Sequence, residues 1–264
     1  MKRRKKAGRP GSFALQRLAD LCHDMRTPLS IILDTARMLE EKSGDQHSRE
    51  LEQIRRNARQ VLRIMGNVVD LAAIDAGHVR LRMERVEGVA WLREVGLACA
   101  PYARHKGLEF MTATNLQEIW IRCDPVRLER CVLNLISNAV RFTEPGGLVC
   151  LSMERVGGEA YISVCDNGRG MDREQAGSLF QRFSAGRGSE REQAGSGLGL
   201  SLVKSFIERM GGRVEIESEA GEGTRAGLFL PVDSKGARPA AGVEMLGSAA
   251  GVAMELADLA EPRE

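Results

Sequence analysis

The apolar residues between positions 12 and 42 recur at a spacing that leaves this segment little choice of fold. Leu15, Leu18, Cys22, Met25, Leu29, Ile32, Ala36 and Leu39 follow one another at intervals of 3-4-3-4-3-4-3, the seam of a long helix that packs along a partner. After Ser43-Gly44-Asp45, a turn-like string, the spacing resumes at Leu51, Ile54, Ala58, Val61, Met65, Val68 and Ala72. It ends near Asp75-Ala76-Gly77, where glycine suits a helix C-terminus. Residues 12–78 are therefore predicted to form an antiparallel helical hairpin. One hairpin covers only half of its own stripe. Two hairpins paired into a four-helix bundle cover the rest, so a homodimer is predicted.

Beyond a linker at 79–88 the pattern changes. From 89 to 232, helix-like runs at 89–105, 126–141 and 197–210 mix with strand-like runs at 148–155, 160–165, 213–218 and 225–231. Elements mixed this way predict an α+β sandwich with helices over one face of a sheet. Asp124-Pro125 marks the start of the 126–141 helix, with proline in the first turn. The tail, 233–264, is Ala/Gly-rich and carries no recognisable chemistry beyond a short helical pattern near 252–260. Hydrophobic residues make up 43% of the 264 residues, enough for ordinary cores, and aromatics only 4%, so those cores must be aliphatic.

A net charge of +2 argues against a nucleic-acid reader driven by bulk charge. Six of the first ten residues are Lys or Arg. This basic arm, 1–11, reads as a solvated tail, with a link to a membrane or an upstream sensor as the second reading. The six cysteines show no CxxC spacing and do not group with the histidines, so reduced thiols are expected rather than a metal centre. No apolar run reaches membrane-spanning length. The expectation is a cytoplasmic chain, either complete or the cytoplasmic part of a membrane-associated sensor.

His23 directly follows the seam position Cys22, which puts it at the flank of the bundle and partly exposed. Asp24 beside it can hold one ring N–H, fix the tautomer and leave the other nitrogen nucleophilic. Arg26 adds positive charge for a phosphate. Pro28 cannot donate to the Asp24 carbonyl, which invites a bend near His23. Taken alone, a histidine there is equally a surface residue of an ordinary coiled coil.

A second set of residues supplies the donor. Asn134 and Asn138, four apart on the 126–141 helix, share a face. Their carboxamide oxygens are hard neutral ligands suited to a Mg²⁺ shared with phosphates, and Arg141 lies one turn on. Asp166-Asn167-Gly168-Arg169-Gly170 follows a strand run, placing a carboxylate where it can accept from an exocyclic amine such as adenine's. Gly195-Ser196-Gly197-Leu198-Gly199-Leu200 opens the next helix, where glycines before a helix N-terminus suit phosphates. The string approaches the dinucleotide-binding pattern, but no strand precedes it, so that reading is rejected. Gly221-Glu222-Gly223-Thr224 is a turn before the last strand. Between these motifs, Phe180-Gln181-Arg182-Phe183 and the polar 184–196 read as a lid over nucleotide, or simply as a loop.

With these strings in order over residues 12–232, the chain resembles the transmitter core of a sensor histidine kinase of two-component systems. His23 through Leu29 is similar to the H box, Asn134 through Thr143 to the N box, Asp166 through Gly170 to G1, and Phe180 through Phe183 to the F box. Gly195 through Leu200 is similar to G2. The resemblance implies a dimeric hairpin domain followed by a Bergerat-type ATP-binding domain. It implies that His23 is the phosphoacceptor, Asp24 the general base and Thr27 a phosphatase residue. The ATP-binding set would be Asn134, Asn138, Arg141, Asp166, Gly168, Gly170, Phe180, Arg182, Phe183, Gly195, Gly197, Leu198, Gly199 and Thr224. Asn138 would hold Mg²⁺ with Asn134 nearby, and an aspartate on a response-regulator receiver would take the phosphoryl group. Cys22, Asp24, Arg141 and Gln181 depart from the residues usual at their positions, and none removes a needed group. Two alternatives are a non-catalytic dimerisation and docking module, against which the intact His23, Asn138, Asp166 and G2 glycines argue, and an ATPase of the gyrase, MutL or chaperone group. Those enzymes place a water-activating glutamate where Asn134 stands.

Overall fold

The computed structural model describes residues 25, 29–36, 38–39, 48–179, 198–233 and 256. The chain divides into two compact units, Met1–Arg80 and Leu81–Glu264.

In the first unit, described residues 29–36 and 38–39 are helical, within the predicted first helix. The second helix, α1, runs Ser48–Asp75. It ends in paired backbone bonds, Gly77 N–H to Ile74 O at 3.0 Å and His78 N–H to Ala73 O at 2.9 Å, with Gly77 at φ 69°. That is the left-handed glycine cap its sequence called for. The predicted stripe is only partly covered within one chain. Ala36, Leu51 and Ala58 are buried, whereas Ile54 and Val61 remain 45% and 37% exposed, and Met25, Ile32 and Leu39 are also exposed. Toward the end of α1 the buried set moves to Asn67, Leu71 and Ile74, off the 3-4 seam. An open apolar stripe of this kind is what a second hairpin would cover.

The second unit begins with a strand inside the expected linker. Strand β1 (Glu84–Glu87) pairs antiparallel with β3 (Trp120–Cys123), Val86 opposite Ile121. The Glu87 carboxylate then starts helix α2 (Gly88–His105), accepting from Val89 N–H at 3.0 Å and Ala90 N–H at 2.6 Å. It also accepts from Ile119 N–H at 3.0 Å, so one side chain ties the helix start to the residue that leads into β3. Helix α3 (Pro125–Phe142) has Asp124 as its N-cap, accepting from Arg127 N–H at 3.1 Å, with proline in its first turn.

The main sheet adds β2 (Glu109–Thr114), β4 (Leu148–Val156), β5 (Glu159–Asp166), β6 (Arg213–Glu219) and β7 (Gly223–Pro231) in the order β2-β4-β5-β7-β6. Strands β2 and β4 are parallel and the rest antiparallel. Helix α4 (Arg173–Ser178) opens with an Asp172/Gln175 capping box. Helix α5 (Gly199–Arg209) packs against α3. Alternate strand residues Val149, Leu151, Met153, Ile162, Val164, Leu228 and Leu230 are buried, as are Leu92, Leu128, Ile136, Phe206 and Ile207 of the helices. The result is the sandwich of helices over one sheet face that the pattern predicted. Strand β2 lacked alternation because it is a largely exposed edge, and β1 and β3 are too short to show a period. Among the described residues no helix is long and apolar enough to cross a membrane.

One core residue makes stability depend on pH. Glu129 of α3 is 6% exposed. Burial, with the Glu94 carboxylate nearby, pushes its carboxyl up to about 7. The folded chain holds this proton more tightly than the unfolded chain. Its contribution is therefore full below the ordinary glutamate range and is lost as pH rises through about 7. Glu129→Gln, which cannot ionise, should raise the urea midpoint above wild type at about pH 8 and leave it matched at about pH 4. Equal midpoints at the higher pH would show an ordinary carboxyl.

Candidate nucleotide-binding site

Helix α3 carries a polar stripe along an otherwise apolar rod. Leu128, Val132, Leu135, Ile136 and Ala139 are buried. Arg127, Arg130, Asn134, Asn138 and Arg141 are half-buried and follow one another at 3-4-4-3 spacing, one continuous face. The one carboxylate on the helix, Glu129, is buried on another face.

Asn134 meets the start of α5. A Cβ at Gly199 would lie 2.4 Å from Asn134 Nδ2 and 2.7 Å from its Oδ1, so any larger residue there would displace the amide from its place against the helix N-terminus. Asn134 Oδ1 is buried and has no hydrogen-bond partner among the described residues. A buried acceptor left open costs free energy unless a ligand completes it. A neutral carboxamide oxygen in this setting fits a hard cation or a donor brought in with phosphates. Leu198, at the helix start, has a buried side chain, and its carbonyl accepts from Ser201 Oγ at 2.9 Å. It has only its backbone to offer a ligand.

Asp166 ends β5, opposite Val149 of β4 and Thr224 of β7. Its Oδ1 accepts from Gly168 N–H at 3.0 Å. Burial pushes its carboxyl up, and the backbone N–H groups of Gly168 and Thr224 pull it back. The segment after it is laid against the end of α3. Arg169 N–H donates to Phe142 O at 3.2 Å, and the Arg169 guanidinium sits 4.7 Å over the Phe142 ring. On the other side Gly221 N–H donates to Arg169 O at 2.8 Å. Two glycines are required here. Gly170 (φ 61°) and Gly223 (φ 101°) are in the left-handed region, and a Cβ would come within 1.9 Å of Glu219 O or 2.0 Å of Asp166 O respectively. Thr224 Oγ1 is 3.0 Å from Ser218 Oγ.

The structure thus brings together Asn134 with Gly199, Asp166 with Gly168 and Thr224, and Gly170 with the β6–β7 turn. It puts Asn138 and Arg141 on the same stripe as Asn134. His23, Asp24, Thr27, Phe180, Arg182, Phe183, Gly195 and Gly197 lie outside the described residues. Two supporting residues were not read from sequence. Ser218 holds Thr224. Lys106, at the end of α2, donates from Nζ to Val140 O at 2.7 Å, Arg141 O at 2.9 Å and Thr143 O at 2.8 Å. That ammonium satisfies the open carbonyls of α3 and anchors the stripe's last turn. Nothing local marks a lysine that acts 34 to 37 residues away.

Residues 14–77 match the family described as the His Kinase A (phospho-acceptor) domain. Residues 123–234 match the family of histidine kinase-, DNA gyrase B-, and HSP90-like ATPases. The circadian input-output histidine kinase CikA of Synechococcus elongatus is 32% identical over 81% of the chain and 29% of its own length. The sensor protein DivL of Caulobacter vibrioides is 33% identical over 81% of the chain and 27% of its length. The chain spans less than a third of these curated relatives. Among solved structures, full-length ShkA in complex with AMPPNP superposes with a TM-score of 0.68 at 31% identity, covering 82% of this chain and 46% of that one. The Acinetobacter baumannii histidine kinase AdeS shares the fold, with a TM-score of 0.56 at 21% identity over 80% of this chain and 98% of that one.

Proposed function

The chain belongs to the histidine kinases of two-component signalling, a phosphoacceptor domain followed by an ATPase domain, and from that premise we propose that it phosphorylates its own His23 from ATP and passes the group to an aspartate of a response-regulator receiver. The phosphoacceptor domain is a dimerisation domain, so the chain acts as a homodimer. Its ATPase domain binds ATP, and the ShkA complex with AMPPNP supports the same reading.

In this reading Asp166 accepts from the adenine amine, and Gly168, Gly170 and Thr224 shape the seat of the base. Gly195, Gly197, Leu198 and Gly199 present backbone to the phosphates at the start of α5. Phe180, Arg182 and Phe183 belong to the cover over the nucleotide. Asn138 would hold Mg²⁺ with Asn134 nearby, and Arg141 would pair with a phosphate oxygen. Bound there, Mg²⁺ supplies charge neutralisation on the phosphate oxygens. The Asp24 carboxylate holds one ring N–H of His23, and the other nitrogen attacks the terminal phosphorus. The N–P bond forms, the bond to the bridging oxygen breaks, ADP leaves, and the ring proton passes to Asp24.

The observation that carries this reading is the α3 stripe. Its Asn134 amide meets the start of α5, and the stripe holds no carboxylate to activate water, which favours transfer to a nucleophile elsewhere over hydrolysis. The test is incubation of the chain with γ-labelled ATP and Mg²⁺. The expected product is protein label stable in alkali and lost in acid, as for a phosphoramidate. Label stable in acid, or steady phosphate release without labelled protein, would overturn it.

Some relatives are named as kinase/phosphatases, such as the autoinducer 2 sensor kinase/phosphatase LuxQ of Vibrio parahaemolyticus, 27% identical over 83% of this chain and 26% of its own length. Thr27, three residues after Asp24, would orient a water onto a phosphorylated regulator. Thr27→Ala should leave autophosphorylation within about twofold and slow regulator dephosphorylation by about tenfold or more. Equal dephosphorylation rates would remove Thr27 from that role.

A further inference from the structure

The outer face of the sheet carries a pair of cysteines that the nucleotide chemistry does not use. Cys150 of β4 and Cys165 of β5 are direct partners across the antiparallel ladder. Asn167 N–H donates to Leu148 O at 3.3 Å, so Leu148 and Asn167 occupy a hydrogen-bonded position. Cys150 and Cys165, two residues along, occupy the next one. Partners at such positions have Cα atoms about 5.5 Å apart, inside the range that a disulfide spans. The following pair on this face shows that short side chains meet across the ladder here: Ser152 Oγ and Ser163 Oγ are 2.7 Å apart. Ser163 Oγ is also 3.8 Å from Cys165 Sγ, so the thiol and the hydroxyls share one side of the sheet.

Access separates this pair from the other described cysteines. Cys99, Cys123 and Cys131 are buried in the core, while Cys150 and Cys165 are half-buried. Burial pushes the thiols of Cys99 and Cys123 up to about 12, which leaves them inert. A groove of about 370 Å³, lined by Cys165, Glu217, Ser218, Thr224 and Arg225 among others, opens beside the pair. Arg225 is the ladder partner of Cys165. Burial and Cys165 raise the Cys150 thiol, and Arg225 opposes them.

We propose that Cys150 and Cys165 are a redox modification site that closes into a reversible cross-strand disulfide under a two-electron oxidant such as hydrogen peroxide. One thiolate attacks the peroxide, the O–O bond breaks, and a sulfenic acid and water form. The second thiol displaces that hydroxyl as a second water and closes the S–S bond. Two thiols are oxidised by two electrons and one peroxide is reduced to two waters. The disulfide would sit one rung from Val149 and Asp166, and so at the edge of the adenine seat proposed above. Its formation does not depend on that proposal.

The test uses the full chain, reduced and then exposed to hydrogen peroxide without nucleotide. Tryptic mapping is expected to recover peptides 142–155 and 156–169 joined through Cys150 and Cys165, and separated again by dithiothreitol. Cys150→Ser and Cys165→Ser should each abolish the joined species, with the unfolding midpoint measured to show that the variant is folded. The rate should climb as pH rises above neutral, because the thiolate is the attacking species. Sulfinic acids on the two cysteines separately, a linkage to Cys22 instead, or unmodified thiols at full peroxide exposure would each overturn the proposal. Labelling of His23 is read in a different assay, so failure of the disulfide and failure of the kinase reading are distinguishable.

Discussion

His23→Gln is expected to reduce protein labelling from γ-labelled ATP by about 100-fold or more, to the background of the assay. Glutamine has similar reach and polarity, but its amide nitrogen has no free lone pair with which to attack phosphorus. The substitution therefore removes the nucleophile while leaving the hairpin's helix propensity nearly unchanged. His23 is also outside the ATPase unit, Leu81–Glu264. ATP affinity should thus stay within about twofold of wild type, and circular dichroism should be unchanged. That combination separates loss of the acceptor from loss of the fold. Label that persists in His23→Gln would move the acceptor to another residue. Loss of ATP binding along with label would mean that the substitution had damaged more than the nucleophile.

The second large effect is expected at Asp166. Asp166→Asn keeps the shape, and its remaining oxygen can still accept from Gly168 N–H, now 3.0 Å away. What changes is the other half of the group, where an acceptor becomes an NH₂ that, in the proposed seat, would face the adenine amine donor to donor. A charge-assisted hydrogen bond is lost and a buried donor is left open, together about 1.5–3 kcal/mol, or about 10- to 100-fold in the dissociation constant for ATP. Titration calorimetry on the full chain reads this directly, and autophosphorylation at saturating ATP should recover in part. Because burial raises this carboxyl, wild-type affinity should also weaken on acidification sooner than an ordinary aspartate would allow. Unchanged affinity in Asp166→Asn would remove the residue from base recognition.

The parts of the fold that were legible are those written in local periodicity. The 3-4 spacing over 51–72 and Gly77 mark α1 and its cap, and Asp124-Pro125 marks the start of α3. Strands β4 to β7 alternate strongly enough to be read. The exposed edge β2, with the series Glu109-Phe110-Met111-Thr112-Ala113-Thr114, alternates only weakly. Its existence depends on pairing in parallel with β4, a contact about 40 residues away. In the same way, of the apolar spacing in the first unit Ala36, Leu51 and Ala58 are buried within one chain, while Asn67, Leu71 and Ile74, off that spacing, form its buried end.

The site divides along the same line. Residue types and their order are a property of the sequence: a histidine beside a carboxylate, amides four apart on a helix, glycines before another helix. They carried the succession of a helical hairpin and an α+β sandwich, because side-chain chemistry and helical phase are local, and their likeness to the histidine-kinase motifs carried the chemistry proposed for them. Only the tertiary structure decided which of these groups meet. It seats Gly199 against Asn134, leaves Asn134 Oδ1 without a partner among the described residues, sets Thr224 beside Asp166, brings Lys106 to the end of α3 and places Cys150 opposite Cys165. Each of these depends on strand register or on close packing between elements distant in the chain. Such contacts are chosen by the whole core rather than by any short stretch of residues.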